Sequence, residues 1–125
     1  MKYVILIHSN PEPWGHPTIE HTQEGRRLSA ERRAEMDREF DELLAELTAS
    51  GEFVTAEALA DPNASRIYRW RDERPLATDG PFAETKEQLA GFFVIDVETP
   101  ERAHEIAMRF AAPGDTIELR PTMSP

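Results

Sequence analysis

Six side chains have the types and positions from which a small-molecule site could be built. His8 ends the apolar run Lys2-Tyr-Val-Ile-Leu-Ile-His8, and Asp79 opens the turn Asp79-Gly80-Pro81-Phe82. Histidine titrates near neutral pH and is the natural proton shuttle. An aspartate serves beside it as general base once burial raises its pKa from about 4. His8 and Asp79 are therefore the candidate catalytic pair. Glu84 and Lys86, just after the turn, are candidate ligand-binding partners, with Trp14 and Phe92 as apolar contacts. An architectural reading stands beside each. In it Asp79 accepts a backbone N–H, Gly80 supplies an unusual φ and Pro81 stiffens the exit of the turn. His8 is then a hydrogen-bonded rim residue at a strand end.

The remaining polar residues form no recognised constellation. His16, Glu20 and His21 lie in an irregular stretch whose spacing fits no zinc motif, so neither a metal nor another cofactor is expected. His104 falls on the polar side of a helix. Arg66, Arg69, Arg71 and Arg74 suit an anionic ligand, but Asp72 and Glu73 are interleaved with them, which suits ion pairs on a solvated hairpin. There is no Gly-rich phosphate loop, Gly-x-Ser-x-Gly elbow or His-Glu-x-x-His motif. The absence of cysteine excludes thiol catalysis, disulfides and Cys-based metal sites. A net charge of −10 repels phosphate backbones and anionic lipid headgroups, so nucleic acid and membrane surfaces are not expected partners. The longest apolar runs, Tyr3 to Ile7 and Phe92 to Ile95, fall well short of the ~20 residues a spanning helix needs. No signal-peptide pattern follows Met1-Lys2, and a cytoplasmic location is expected.

The elements that must position these residues follow from periodicity. With 125 residues the chain suits one domain with one core. Lys2 to His8 is apolar on both alternating faces, the pattern of a central strand. Residues 10–27 carry Pro11, Pro13, Pro17, Gly15 and Gly25, which predict a long ordered loop with a helical turn around Thr18 to Gln23. Loops of that length inside a compact domain tend to be functional. Ser29 caps a helix whose Met36, Phe40, Leu43, Leu44 and Leu47 form one stripe, and Gly51 stops it. Glu52 to Leu59 and Arg66 to Arg71 read as the second and third strands, joined as a hairpin through Asp61-Pro62-Asn63, and residues 72–88 as a polar excursion. Leu89 to Val97 is the next strand. Thr99-Pro100-Glu101 starts a helix with the stripe Ala103, Ile106, Ala107 and Phe110, and Thr116 to Arg120 is the last strand.

The order β-α-β-β-α-β defines a ferredoxin-like α+β fold, with both helices on one face of an antiparallel sheet. Phe93, Ile95 and Val97 oppose Phe92 and Val94 across their strand, as Tyr3, Ile5 and Ile7 oppose Val4 and Leu6. Two helices cover only one of these faces. At ~25 cal/mol per Å² the uncovered residues would forfeit several kcal/mol. A second copy stacked face to face is the expected remedy, and the 72–88 excursion folding over the sheet is the alternative.

The segment Ala77-Thr-Asp-Gly-Pro-Phe-Ala-Glu-Thr-Lys-Glu-Gln-Leu-Ala-Gly-Phe-Phe-Val-Ile-Asp-Val97 resembles the YCII-related proteins, in particular the subgroup named for its Asp-Gly-Pro-Phe motif. The opening Met-Lys-Tyr-Val-Ile-Leu-Ile, the junction Leu-Thr-Ala-Ser-Gly-Glu-Phe-Val and the ending Gly-Asp-Thr-Ile-Glu-Leu-Arg-Pro extend the likeness along the chain, making residues 1–125 one such domain. The resemblance implies a dimeric α+β barrel. It implies either a small-molecule- or protein-binding module, regulatory and linked to an extracytoplasmic-function sigma factor, or a cofactor-free lyase or isomerase using a His–Asp pair on an aromatic or enol-like metabolite. The helix from Ser29 to Ser50 lacks the histidine of the YCII branch.

Overall fold

The computed structural model of the chain describes residues 1–83 and 85–123. Strand β1 (Lys2–Ser9) leads into an irregular segment holding a 3-10 turn (Thr18–Glu20) and the one-turn helix α1 (Gln23–Arg26). Helix α2 (Ala30–Ser50), β2 (Phe53–Ala58), β3 (Arg66–Arg71), β4 (Arg74–Asp79), β5 (Gln88–Asp96), α3 (Pro100–Phe110) and β6 (Asp115–Pro121) follow. Four strands make an antiparallel sheet in the order β2-β5-β1-β6, an α+β arrangement compatible with the ferredoxin-like expectation.

Local chemistry sets the helix bounds. The Ser29 hydroxyl accepts from the Arg32 N–H at 3.0 Å, and Gly51 closes α2 in the left-handed region at φ 78°. Thr99 caps α3 in the same way at 3.1 Å, with Pro100 in the first turn. Both helices press their apolar stripes onto one sheet face. Ile5 and Ile95 from the central strands are fully buried against Leu43 and Leu47 of α2 and Ile106 of α3. The opposite sheet face carries Val4, Leu6, Phe92 and Val94, which are half-buried. Arg102 of α3 fastens this layer at its edge. Its Nε and Nη2 each donate to the Glu52 carboxylate at 2.9 Å, and Nη1 donates to Glu105 at 2.8 Å. Glu46 of α2 lies 3.4 Å from the same guanidinium and also accepts from Arg109.

The hairpin differs from the sequence expectation. β2 pairs with β5, from Phe53 opposite Ile95 to Ala58 opposite Gly91. β3 pairs instead with β4, within the stretch read as a polar excursion, and the two form a separate two-stranded sheet. Asp72 and Glu73 join them with positive φ of 53° and 61°, the backbone of a type I′ two-residue turn. A two-residue connection closes at about 1 kcal/mol less entropic cost than the seven-residue one between β2 and β3. Arg74-Pro-Leu-Ala-Thr-Asp79 has no apolar alternation, so its strand character was hidden. Tyr68 and Trp70 on β3 are 69% and 71% exposed.

The 10–27 segment is ordered by anchors at both ends. Trp14 Nε1 donates to the Leu59 carbonyl at 2.9 Å, beyond the end of β2. Thr22 is buried, accepts from the Gly25 N–H and donates to the Pro113 carbonyl at 3.3 Å. Gly114 at φ 89° lets this contact form, because a Cβ there would lie 2.5 Å from Thr22 Oγ1.

Candidate functional site

His8 sits at the end of β1 on the face of Val4 and Leu6, where Glu118 of the neighbouring β6 lies on the same side. Its Nε2 is 3.3 Å from Glu118 Oε1. Arg120 first, and His8 after it, hold the Glu118 carboxyl below the usual range. Asp79 ends β4 with its side chain 88% exposed, 3.7 Å from Arg66. Among the described residues no hydrogen bond or ion pair joins His8 to Asp79. Gly80 has no positive φ, contrary to the architectural expectation. Glycine is needed there because Ser65 packs against it: a Cβ would meet the Ser65 Cβ at 2.6 Å, and the Gly80 N–H donates to the Ser65 carbonyl at 2.7 Å.

The other expected ligand contacts are dispersed. Lys86 is exposed, and Glu84 lies outside the described residues. Phe92 is half-buried on the helix-free face opposite Leu6. Trp14 serves as the anchor to Leu59 and packs edge-on against His16 at 6.3 Å between ring centroids. Among the described residues no group of three or more His, Cys, Asp or Glu side chains is placed to hold a metal ion.

The structure brings together a different set. Between α2, α3 and the sheet, bordered by residues 16–19 of the 10–27 segment, lies a half-open cavity of about 580 Å³. That volume falls within the range of roughly 300–1,000 Å³ typical of ligand sites. Its apolar floor includes Phe40, Phe93 and Phe110, packed edge to face with centroids 4.7 to 6.0 Å apart. The bulge between Ile7 and His8 in the β1–β5 ladder falls beside this floor, and Ala90 and Gly91 line the cavity there.

Asp115, His16 and Thr18 supply polar groups to the wall. The Thr18 hydroxyl reaches both Asp115 oxygens, at 3.0 and 2.9 Å. Burial pushes the Asp115 carboxyl above its ordinary range, against the hydroxyls of Ser9 and Thr18; Glu87 adds to the rise and His16 opposes it. His16 Nε2 lies 3.1 Å from the Leu59 carbonyl. A carbonyl only accepts, so Nε2 carries the proton in that contact. The unusual length of the 10–27 loop was the sequence signal for this site. Asp115 gave none beyond its place after Pro113-Gly114.

The fold is thus that of an antiparallel α+β domain with a cavity between its helical and sheet layers. The chain belongs to the YCII-related domain family, whose pattern it matches over residues 1–121. It is also similar to an uncharacterised protein of Rhizobium meliloti (strain 1021), at 36% identity over 58 residues, 46% of this chain. That stretch spans 47% of the relative's own length. Among the described residues no helix is long and apolar enough to cross a membrane.

Proposed function

We propose that the chain is a small-molecule-binding module whose ligand occupies the cavity bordered by residues 16–19. One observation carries the reading: a cavity of about 580 Å³ with an aromatic floor and a few convergent polar groups on one wall. That is the general anatomy of ligand sites. The test is titration with the neutral dye Nile red. The wild-type chain is expected to give saturable fluorescence enhancement. Ala56→Phe, which adds a ring opposite Phe93 on the cavity side of β2, is expected to weaken it by about tenfold or more. Unsaturable binding, or saturable binding indifferent to Ala56→Phe, would count against the cavity.

Proton-transfer catalysis on an aromatic or enol-like metabolite is a second reading, favoured by the raised pKa of Asp115 beside that floor. In it Asp115 is the general base. His8 and Asp79, engaged by Glu118 and Arg66, would have to leave those partners to act together.

The same proposal includes a homodimer built through the helix-free sheet face. Its support is the row Val4, Leu6, Phe92 and Val94, together with an exposed β3–β4 hairpin, because a two-stranded hairpin is marginal without something to pack on. A regulatory link to an extracytoplasmic-function sigma factor rests on the likeness of residues 77–97 to the Asp-Gly-Pro-Phe subgroup alone.

A further inference from the structure

We infer that the cavity selects apolar ligands bearing a positive charge, an ammonium or amidinium group on an aromatic or branched aliphatic body. This rests on the proposed cavity as ligand site and goes further by fixing the sign of its occupant. The wall carries three acidic side chains, Asp37, Glu39 and Asp115, against two basic ones, Arg109 and His16; Glu57, opposite Phe92, turns its side chain to the helix-free face. The basic pair is already engaged. Arg109 donates to Glu46, outside the cavity, and His16 Nε2 is turned to the Leu59 carbonyl. On the acidic side Glu39 has Arg32 at 3.7 Å. Among the described residues no Lys or Arg pairs with Asp37 or Asp115.

An anionic ligand would therefore enter a partly desolvated site with no free cation to meet it and the unpaired carboxylates of Asp37 and Asp115 to repel it. A cation meets the opposite situation. The carboxylates attract it across a medium less polarisable than water, and the faces of the Phe cluster add the ring quadrupole. The chain's net charge of −10 draws cations toward the site in addition. The aromatic floor of Phe40, Phe93 and Phe110 asks for an apolar body as well, which separates this site from a surface that merely collects small ions.

The test uses three probes of one shape: 4-phenylbutylamine, 4-phenylbutan-1-ol and 4-phenylbutyrate, titrated into the full chain at pH 7 and followed by amide chemical shifts around Phe93 and Asp115. The amine is expected to bind at least about tenfold more tightly than the carboxylate, with the alcohol between them. In the double variant Asp37→Asn/Asp115→Asn the amine's advantage over the carboxylate is expected to fall several-fold. Equal or tighter binding of the carboxylate would overturn the inference, as would an amine preference unchanged in the double variant. In both cases binding of the alcohol leaves the cavity as a ligand site. If none of the three probes perturbs the cavity residues, both readings fall together.

Discussion

Replacing Arg102 with leucine should cost this chain about 3 kcal/mol. The guanidinium makes two parallel 2.9 Å bonds to Glu52, with the two side chains only 22% and 16% exposed. Hydrogen bonds to charged groups contribute roughly 1.5–3 kcal/mol each, and a carboxylate left partly buried without its partner adds a desolvation penalty. The Ser50 hydroxyl still donates to Glu52 at 2.7 Å and softens that penalty, which keeps the total near the lower end. For a domain of this size the loss corresponds to a fall in Tm of about 10 °C. The assay is thermal and urea unfolding of wild type and Arg102→Leu. Replacing both residues, Arg102→Leu with Glu52→Leu, should restore most of the difference, because the stranded charge disappears. The pH dependence has a definite sign. Hydrogen bonding from Arg102 lowers the Glu52 carboxyl, so the stabilisation is fully present above the unfolded-state value of about 4.3 and is lost as pH falls through the lower folded-state value. The gap between wild type and Arg102→Leu should hold from pH 7 to pH 5 and narrow below about pH 4. A gap under about 1 kcal/mol at pH 7, or one that persists undiminished in acid, would refute the reasoning.

Asp115 should show the opposite linkage. Its folded-state pKa is raised by burial, so the contribution of Asp115 to stability is greatest below the unfolded value near 3.9 and is lost as pH rises through the folded one. Asp115→Asn retains an acceptor for Thr18 and should gain urea stability relative to wild type between pH 4 and pH 7; a constant difference would contradict the burial. Gly114→Ala combines a left-handed backbone with a 2.5 Å approach to Thr22 Oγ1 and should cost about 3 kcal/mol, with protease cleavage appearing in the 10–27 segment. Leu6→Asp on the helix-free face should shift sedimentation from dimer to monomer, whereas a monomeric wild type at micromolar concentration would remove the dimer reading.

Much of the framework was legible because it is written in local repeats. The stripe Met36, Phe40, Leu43, Leu44 and Leu47 fixes one face of a helix whatever lies beneath it, and Leu43 and Leu47 are indeed buried. Ser29, Gly51 and Thr99 act through their own neighbours and were readable for the same reason. Strand partnership is a non-local choice. Nothing within Phe53–Ala58 says that it should pair with β5, some 35 residues away, rather than with Arg66–Arg71 close by. The cavity was illegible on the same grounds. Thr18 and Asp115 are separated by 97 residues, and only the folding of one loop onto one strand end makes them a pair. His8, conspicuous in sequence at the end of an apolar run, lies on the other sheet face from the cavity floor, beside Glu118.

Because the β3–β4 hairpin joins neither end of the main sheet, β2 and β6 are left as its open borders. Each border discourages a further strand from adding on. β2 is interrupted by the register shift between Phe53 and Thr55 and carries the charge of Glu57; β6 alternates Glu118 and Arg120 and closes on Pro121, which has no N–H to offer. A second chain is thereby steered away from ribbon-like extension of the sheet, toward side-chain contacts with a defined end. Smoothing β2 by deleting Val54, or giving β6 an N–H at position 121, would remove that guard and expose the chain to growth by strand addition.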